Sequence, residues 1–233
     1  QKEKTKMEFK AKQVLVAVAA KNDGDWDNEY MYIKNHIKPT DEEIERFSPL
    51  AEQAVVILDE DYPNTWKNAY RPPMVLFYKK GERSLLGKIG MSSISVLDDG
   101  KDLRAKKIVD DILEHGGLIA IPELDSGDIV IKSKTQSLTL SEYPDGAYDA
   151  NSKEQRARVL DISACLCGKL FIGIVKNSLA NTAALFATSY GKDVYVVPTS
   201  LGTSYTNNEL IRDGAYVALD WEDVMPERKK GRR

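Results

Sequence analysis

The sequence predicts a doubly wound α/β fold: a mostly parallel sheet with helices on both faces, preceded by a small helical region. Two observations carry this expectation. From about residue 90 onward, short β-rich runs alternate with helix-period segments over short connections. The length of 233 residues suits one large domain, or a core with a small accessory part. The expected division is a helical accessory region over 1–52, the α/β domain over 53–225 and a basic tail over 226–233.

Taken in order, "KMEFKAKQVLVAVAA" is too densely apolar for a fully exposed helix. "NDGDWDNEYMYIKNHI" follows a Gly-containing turn. In "KPTDEEIERFSPLA", Thr40 with Glu43 three residues on makes a capping box. "AVVIL" and "MVLFY" are short strands. Tyr62-Pro63 opens a helical turn between them, and Arg71-Pro72-Pro73 ends it and enters the second strand extended. "SSISVL" is a strand. "KDLRAKKIVDDILEHGG" is an amphipathic helix with Leu103, Ile108, Ile112 and Leu113 on one side and Gly116 near its C-cap. "LIAI" and "SLTLSEYP" are strands, and "SKEQRARVLDISACLCG" is a helix. "KLFIGIV", "SLANTAALFATSYGK" and "DVYVVP" follow as strand, small-residue helix and strand. "TNNELIRDGAYVAL" is a short helix, a Gly turn and a last strand.

Composition narrows the chemistry. A net charge of −3 excludes a globally basic nucleic-acid coat, although basic residues crowd "QKEKTKMEFKAK" and "PERKKGRR". No apolar run approaches the roughly 18 residues of a membrane helix. The Lys-rich start lacks the apolar stretch of a secretory signal, so a cytoplasmic location is expected. Cys165 and Cys167 read as core residues before a strand. His36 and His115 stand outside any nucleophile or ligand constellation. No nucleophile–base pair, metal spacing or P-loop is present, so a binder is expected rather than an enzyme, with no cofactor.

Ligands of open α/β sheets sit beyond the C-terminal strand ends, near helix starts. Two such crossings are rich in small polar residues. The first holds Asn177, Ser178, Asn181 and Thr182; the second runs from Thr199 to Asn208. Exposed N–H groups with Ser, Thr and Asn donors suit a phosphate, and capping suits the same residues. Lys153, Arg156 and Arg158 form a third candidate; i and i+2 on a helix point to different sides, so only one arginine would face a given ligand.

"YPNTWKNAYRPPMVLFYKKGERSLL", "LSEYPDG", "QRARVLDIS", "NSLANTAALFATSYGKDVYVVP" and "TNNELIRDGA" together resemble the DNA-processing protein A (DprA/Smf) family, in that family's order. The resemblance covers roughly 55–86 and 141–225. It implies an extended Rossmann-like fold that binds single-stranded DNA, dimerises and loads the RecA recombinase during natural transformation, without a catalytic reaction. By position, it implies that Arg156 and Arg158 contact phosphates. Ser178 with Thr182, or Ala183 one residue on, would line the pocket, and Lys192 and Asn208 match further family positions.

The chain departs from the pattern in two loops. The family's phosphate-binding Gly-Ser-Arg is replaced by Asp98-Asp99-Gly100, and the next motif is reduced to Ser126-Gly127-Asp128-Ile129. One strand–helix unit is missing after it. The chain therefore resembles a reduced, divergent member. Two other classes stay open: a nucleotide or signal binder like the SLOG group, and a protein-interaction module that lost the pocket.

Overall fold

A computed structural model describes residues 10–200 and 206–225. The basic stretch before residue 10, the middle of the polar loop after β8 and the tail over 226–233 lie outside the described residues.

Among the described residues three helices come first: α1 (Ala11–Lys21), α2 (Trp26–Lys34) and α3 (Asp41–Phe47). The Thr40 box starts α3 as its spacing predicts: Thr40 Oγ1 accepts from Glu43 N at 3.2 Å, and Glu43 Oε2 accepts from Thr40 N at 2.9 Å. Next come β1 (Ala54–Val56), α4 (Asn64–Lys67), β2 (Val75–Gly81), β3 (Ile94–Leu97), α5 (Leu103–Glu114) and β4 (Ile119–Glu123). The chain continues through β5 (Asp128–Lys132), β6 (Ser137–Ser141), α6 (Lys153–Leu166), β7 (Lys169–Ile172), α7 (Asn177–Ser189) and β8 (Asp193–Val196). The described residues end with α8 (Asn207–Arg212), β9 (Tyr216–Val217) and α9 (Trp221–Val224).

The nine strands among the described residues form one sheet in the order β1-β2-β6-β5-β4-β3-β7-β8-β9. From β4 through β9 all pairs are parallel, and this is the doubly wound part. Alternation along each strand sorts its side chains between two faces. Ile94 and Val96 of β3, Phe171 of β7 and Tyr195 of β8 meet Ile108 and Ile112 of α5. Leu97, Leu170, Ile172, Val194 and Val196 meet Leu160 and Ala164 of α6 and the alanine stripe Ala180, Ala183, Ala184 and Ala187 of α7. Those small residues let α7 lie close to the sheet.

The other half, β1-β2-β6-β5-β4, is antiparallel. Its pivot is a hairpin between β4 and β5, which stands where alternation would call for a crossover helix. Gly127 makes the turn with φ +76°, and a Cβ there would overlap the Tyr148 ring. The strand β5 was not among the expected elements; "DIVIK" is a period-2 run directly after a Ser-Gly turn. Trp66 of α4, fully buried, donates Nε1 to Ile162 O of α6 at 3.0 Å and anchors one face of this half. On β1 and β2, Val16 and Ala19 of α1 pack with Val56, Val75 and Phe77. The helical start is thus fused to the sheet through a shared apolar core.

Cys165 and Cys167 are free and buried, as expected of core residues. His115 caps the end of α5 and stacks on Trp221, with ring centroids 3.8 Å apart. No helix among the described residues is long and apolar enough to cross a membrane.

Candidate nucleic-acid interface

The C-terminal ends of β4, β3, β7 and β8 define one edge, and the starts of α5, α6 and α7 converge on it because each helix runs antiparallel to its strands. Two of these starts carry side-chain caps. Asp102 accepts from Arg104 N and Ala105 N at α5, and Ser152 accepts from Gln155 N at α6. The third, α7, has Lys176 at its N-cap and no side-chain cap. Among the described residues its positive dipole end therefore faces the edge without a capping side chain at Lys176.

The polar residues around α7 are largely occupied in holding the loop that returns from β8. Thr206 N donates to Asn177 Oδ1 at 2.9 Å, and Thr206 Oγ1 lies 3.2 Å from Asn181 Oδ1. Asn208 pairs both ends of its amide with the Thr199 peptide: Thr199 N donates to Oδ1 at 3.1 Å, and Nδ2 donates to Thr199 O at 2.8 Å. Capping by Asn208, which its position suggested, is therefore not what it does; α8 has no side-chain cap. Asn207, fully buried, donates Nδ2 to Gly173 O and Val197 O at 2.8 and 2.9 Å, tying the ends of β7 and β8 together. Thr182 Oγ1 donates back to Ser178 O at 2.8 Å. Ser178 itself is exposed on the first turn of α7.

The two arginines of α6 diverge as their i, i+2 spacing requires. Arg156 is half-buried, forms no ion pair among the described residues and lies beside Tyr148. Burial raises the pKa of that phenol, and the nearby Arg156 cation opposes the rise. Arg158 turns inward. Its Nε and Nη2 donate to the two oxygens of Glu142, both at 2.7 Å, and Nη1 donates to Arg71 O at 2.8 Å and Asp161 Oδ2 at 3.0 Å. Burial would push its guanidinium pKa down, but Glu142 and then Asp161 hold it above its ordinary value. Four donors of the fork are taken, so the observed role of Arg158 is internal.

Lys192 lies away from the others. It follows α7, whose thirteen residues separate its ends by about 20 Å, and its Nζ lies 3.1 Å from Met91 Sδ, ahead of β3. The structure therefore brings Arg156, Ser178, Thr182 and Asn208 to one edge, buries Arg158 behind it and leaves Lys192 at the opposite one. Lys153 and Lys176 are exposed at the same edge as Arg156. Lys176 escaped the sequence reading, although its place between a buried strand and a helix start was a usable signal.

Asp98 occupies the end of β3. Its Oδ1 accepts from Ile174 N at 2.9 Å and its Oδ2 from Gly100 N at 3.1 Å. A Cβ at Gly173 would overlap this carboxylate, so glycine is required opposite it. Burial raises the Asp98 pKa, the Ile174 and Gly100 N–H groups oppose the rise, and Asp99 and Asp102 add to it. The backbone donors nearest the β3–β7 crevice are thus filled by the protein's own anion.

No protein-family model matches the sequence, and no curated protein matches it significantly. Solved structures do. DNA processing protein A from Streptococcus pneumoniae superposes with a TM-score of 0.63 at 19% identity, covering 92% of this chain and 93% of that one. DNA processing protein A from Helicobacter pylori, described for a single-stranded DNA binding mode, superposes with a TM-score of 0.55 at 14% identity, covering 74% of this chain and 94% of that one. The fold is that of these proteins.

Proposed function

We propose that this chain binds single-stranded DNA through its sugar–phosphate backbone, at the edge formed by the starts of α6 and α7, as a DNA-processing protein without a catalytic step. The observation that carries the reading is the start of α7, without a side-chain cap among the described residues, beside Lys176, Lys153 and Arg156, which forms no ion pair among them. A fold shared with a Helicobacter pylori protein described as binding single-stranded DNA supports the choice of ligand. Ser178 supplies a neutral donor on the first turn of α7. Thr182 and Asn208 shape the wall by holding the helix and the loop.

A second copy of the chain and a RecA-type recombinase complete the proposed setting. Exposed Leu185, Tyr216, Val217 and Leu219 near the β9 edge support a self-association surface.

Fluorescence anisotropy with single-stranded and duplex DNA at two salt concentrations tests the reading. Single-strand preference is expected, with a steep salt slope. The triple variant Lys153→Ala/Arg156→Ala/Lys176→Ala should bind more weakly, with the slope reduced by about 2, roughly 0.7 for each lost phosphate contact. Absence of binding at low salt would refute it. That outcome would favour a second reading, a protein-interaction module, for which the Asp98 carboxylate on the crevice donors is the specific support.

A further inference from the structure

A second feature lies on the other side of the α6 start. Trp26 and Tyr30, one turn apart on α2, stack with ring centroids 5.2 Å apart and planes within 5° of parallel. Trp26 Nε1 donates to Pro72 O at 2.7 Å, which fixes the indole against the segment entering β2. The Arg71 guanidinium lies 4.7 Å from the indole centroid and ion-pairs with Asp27. Lys34 Nζ lies 5.8 Å from the Tyr30 ring. Tyr70 stands 89% exposed and Tyr30 42%. Trp26, Asp27, Tyr30, Tyr70 and Arg71 together line an open cavity of about 540 Å³.

We infer that this aromatic shelf is a stacking platform for unpaired nucleobases of the strand whose backbone lies along the α6 and α7 starts. The inference rests on the proposed single-strand binding and adds a base-contacting site to it. Three features identify the occupant. The lining holds rings and one ion pair but no aliphatic side chain, which suits a flat π-face better than the apolar stripe of a partner helix. Lys34, set against the Tyr30 ring, places a cation where a strand carries its phosphates. A smaller adjoining cavity of about 100 Å³ joins Trp26, Asp27 and Arg71 to Glu154 and Gln155 of the first α6 turn. The shelf is thereby contiguous with the turn that carries Lys153 and Arg156. Asp27 does not oppose this use, because Arg71 neutralises it and stacking needs no phosphate at the ring itself.

The test compares binding of an oligothymidylate and an abasic strand of equal length. The wild type is expected to prefer the base-bearing strand by about 5- to 100-fold, as base–aromatic stacking does elsewhere. The preference should hardly change with salt, because stacking releases no counterions. Tyr30→Ala/Tyr70→Ala should bind both strands alike, and Tyr30→Phe/Tyr70→Phe should keep the preference, since the ring and not the hydroxyl carries it. If the wild type binds both strands equally, or the alanine pair retains the preference, the platform is overturned while backbone binding stands. If neither strand binds, the platform falls together with the function it rests on.

Discussion

Arg156 and Arg158 differ only in which way α6 turns them, and this decides what each does. Arg158 sits with Glu142 in a buried pair whose side chains are 9% and 1% exposed. Removing one partner leaves the other charge buried and uncompensated, which costs about 3–5 kcal/mol. Arg158→Ala should therefore lower the urea midpoint steeply, by an amount of that order in unfolding free energy. Arg156→Ala should change stability by no more than about 0.5 kcal/mol, as surface substitutions usually do. Equal stability losses in the two variants would contradict this division. Spacing alone could say that the two point apart; which one points inward depends on Glu142, fourteen residues before α6 reaches Arg156 and fixed by strand β6.

At the scale of elements, the edge is defined by three helix starts and the C-terminal ends of β4, β3, β7 and β8. Among the described residues α5 and α6 carry side-chain caps and α7 does not, which is why the proposed anion is assigned to α7. Asp98 works against that anion from the end of β3. Two unit charges about 4 Å apart repel by roughly 1–4 kcal/mol depending on exposure. Asp98→Asn keeps an oxygen for Ile174 N and removes the charge. Single-stranded DNA should then bind several-fold more tightly at low salt, with the gain shrinking as salt screens it. Anisotropy titrations of both proteins at two ionic strengths check this, and an unchanged or weaker affinity would place the strand away from β3. The same scale shows where sequence patterns stop. Period-3.6 and period-2 signals located most strands and helices, because burial imposes them locally. The β4–β5 hairpin was missed because a four-residue turn and a short alternating run look the same whether the chain reverses or crosses over.

Across the whole molecule, the helical start and the α/β domain share buried polar groups as well as apolar core. Glu29 of α2 is 1% exposed, and neither carboxyl oxygen has a hydrogen-bond partner among the described residues. Burial, and then the Glu142 charge, hold its pKa well above the usual carboxylate range, while Arg158 opposes the rise. The folded protein therefore binds a proton here that the unfolded chain releases above its own ordinary value of about 4.5. Stability falls as pH rises from that value towards the raised folded one, and this penalty is absent below it. Glu29→Gln removes the ionisation. The variant should melt higher than the wild type at pH 8, with the difference fading towards pH 4; a difference independent of pH would show that Glu29 does not titrate with folding.

By itself the sequence determined the α/β class, the order of most elements and the resemblance that points to single-stranded DNA. These follow from local periodicity, caps and short motifs, which a chain carries wherever it folds. Only the tertiary structure decided that Arg158 is spent on Glu142, that Lys192 sits at the far edge and that Asn208 clamps Thr199. It alone brought Tyr70 beside Trp26 and Tyr30, forty or more residues earlier. The physical reason is the same in each case: a side chain's availability depends on partners that only the sheet order brings together, and those pairings leave no periodic trace in the sequence.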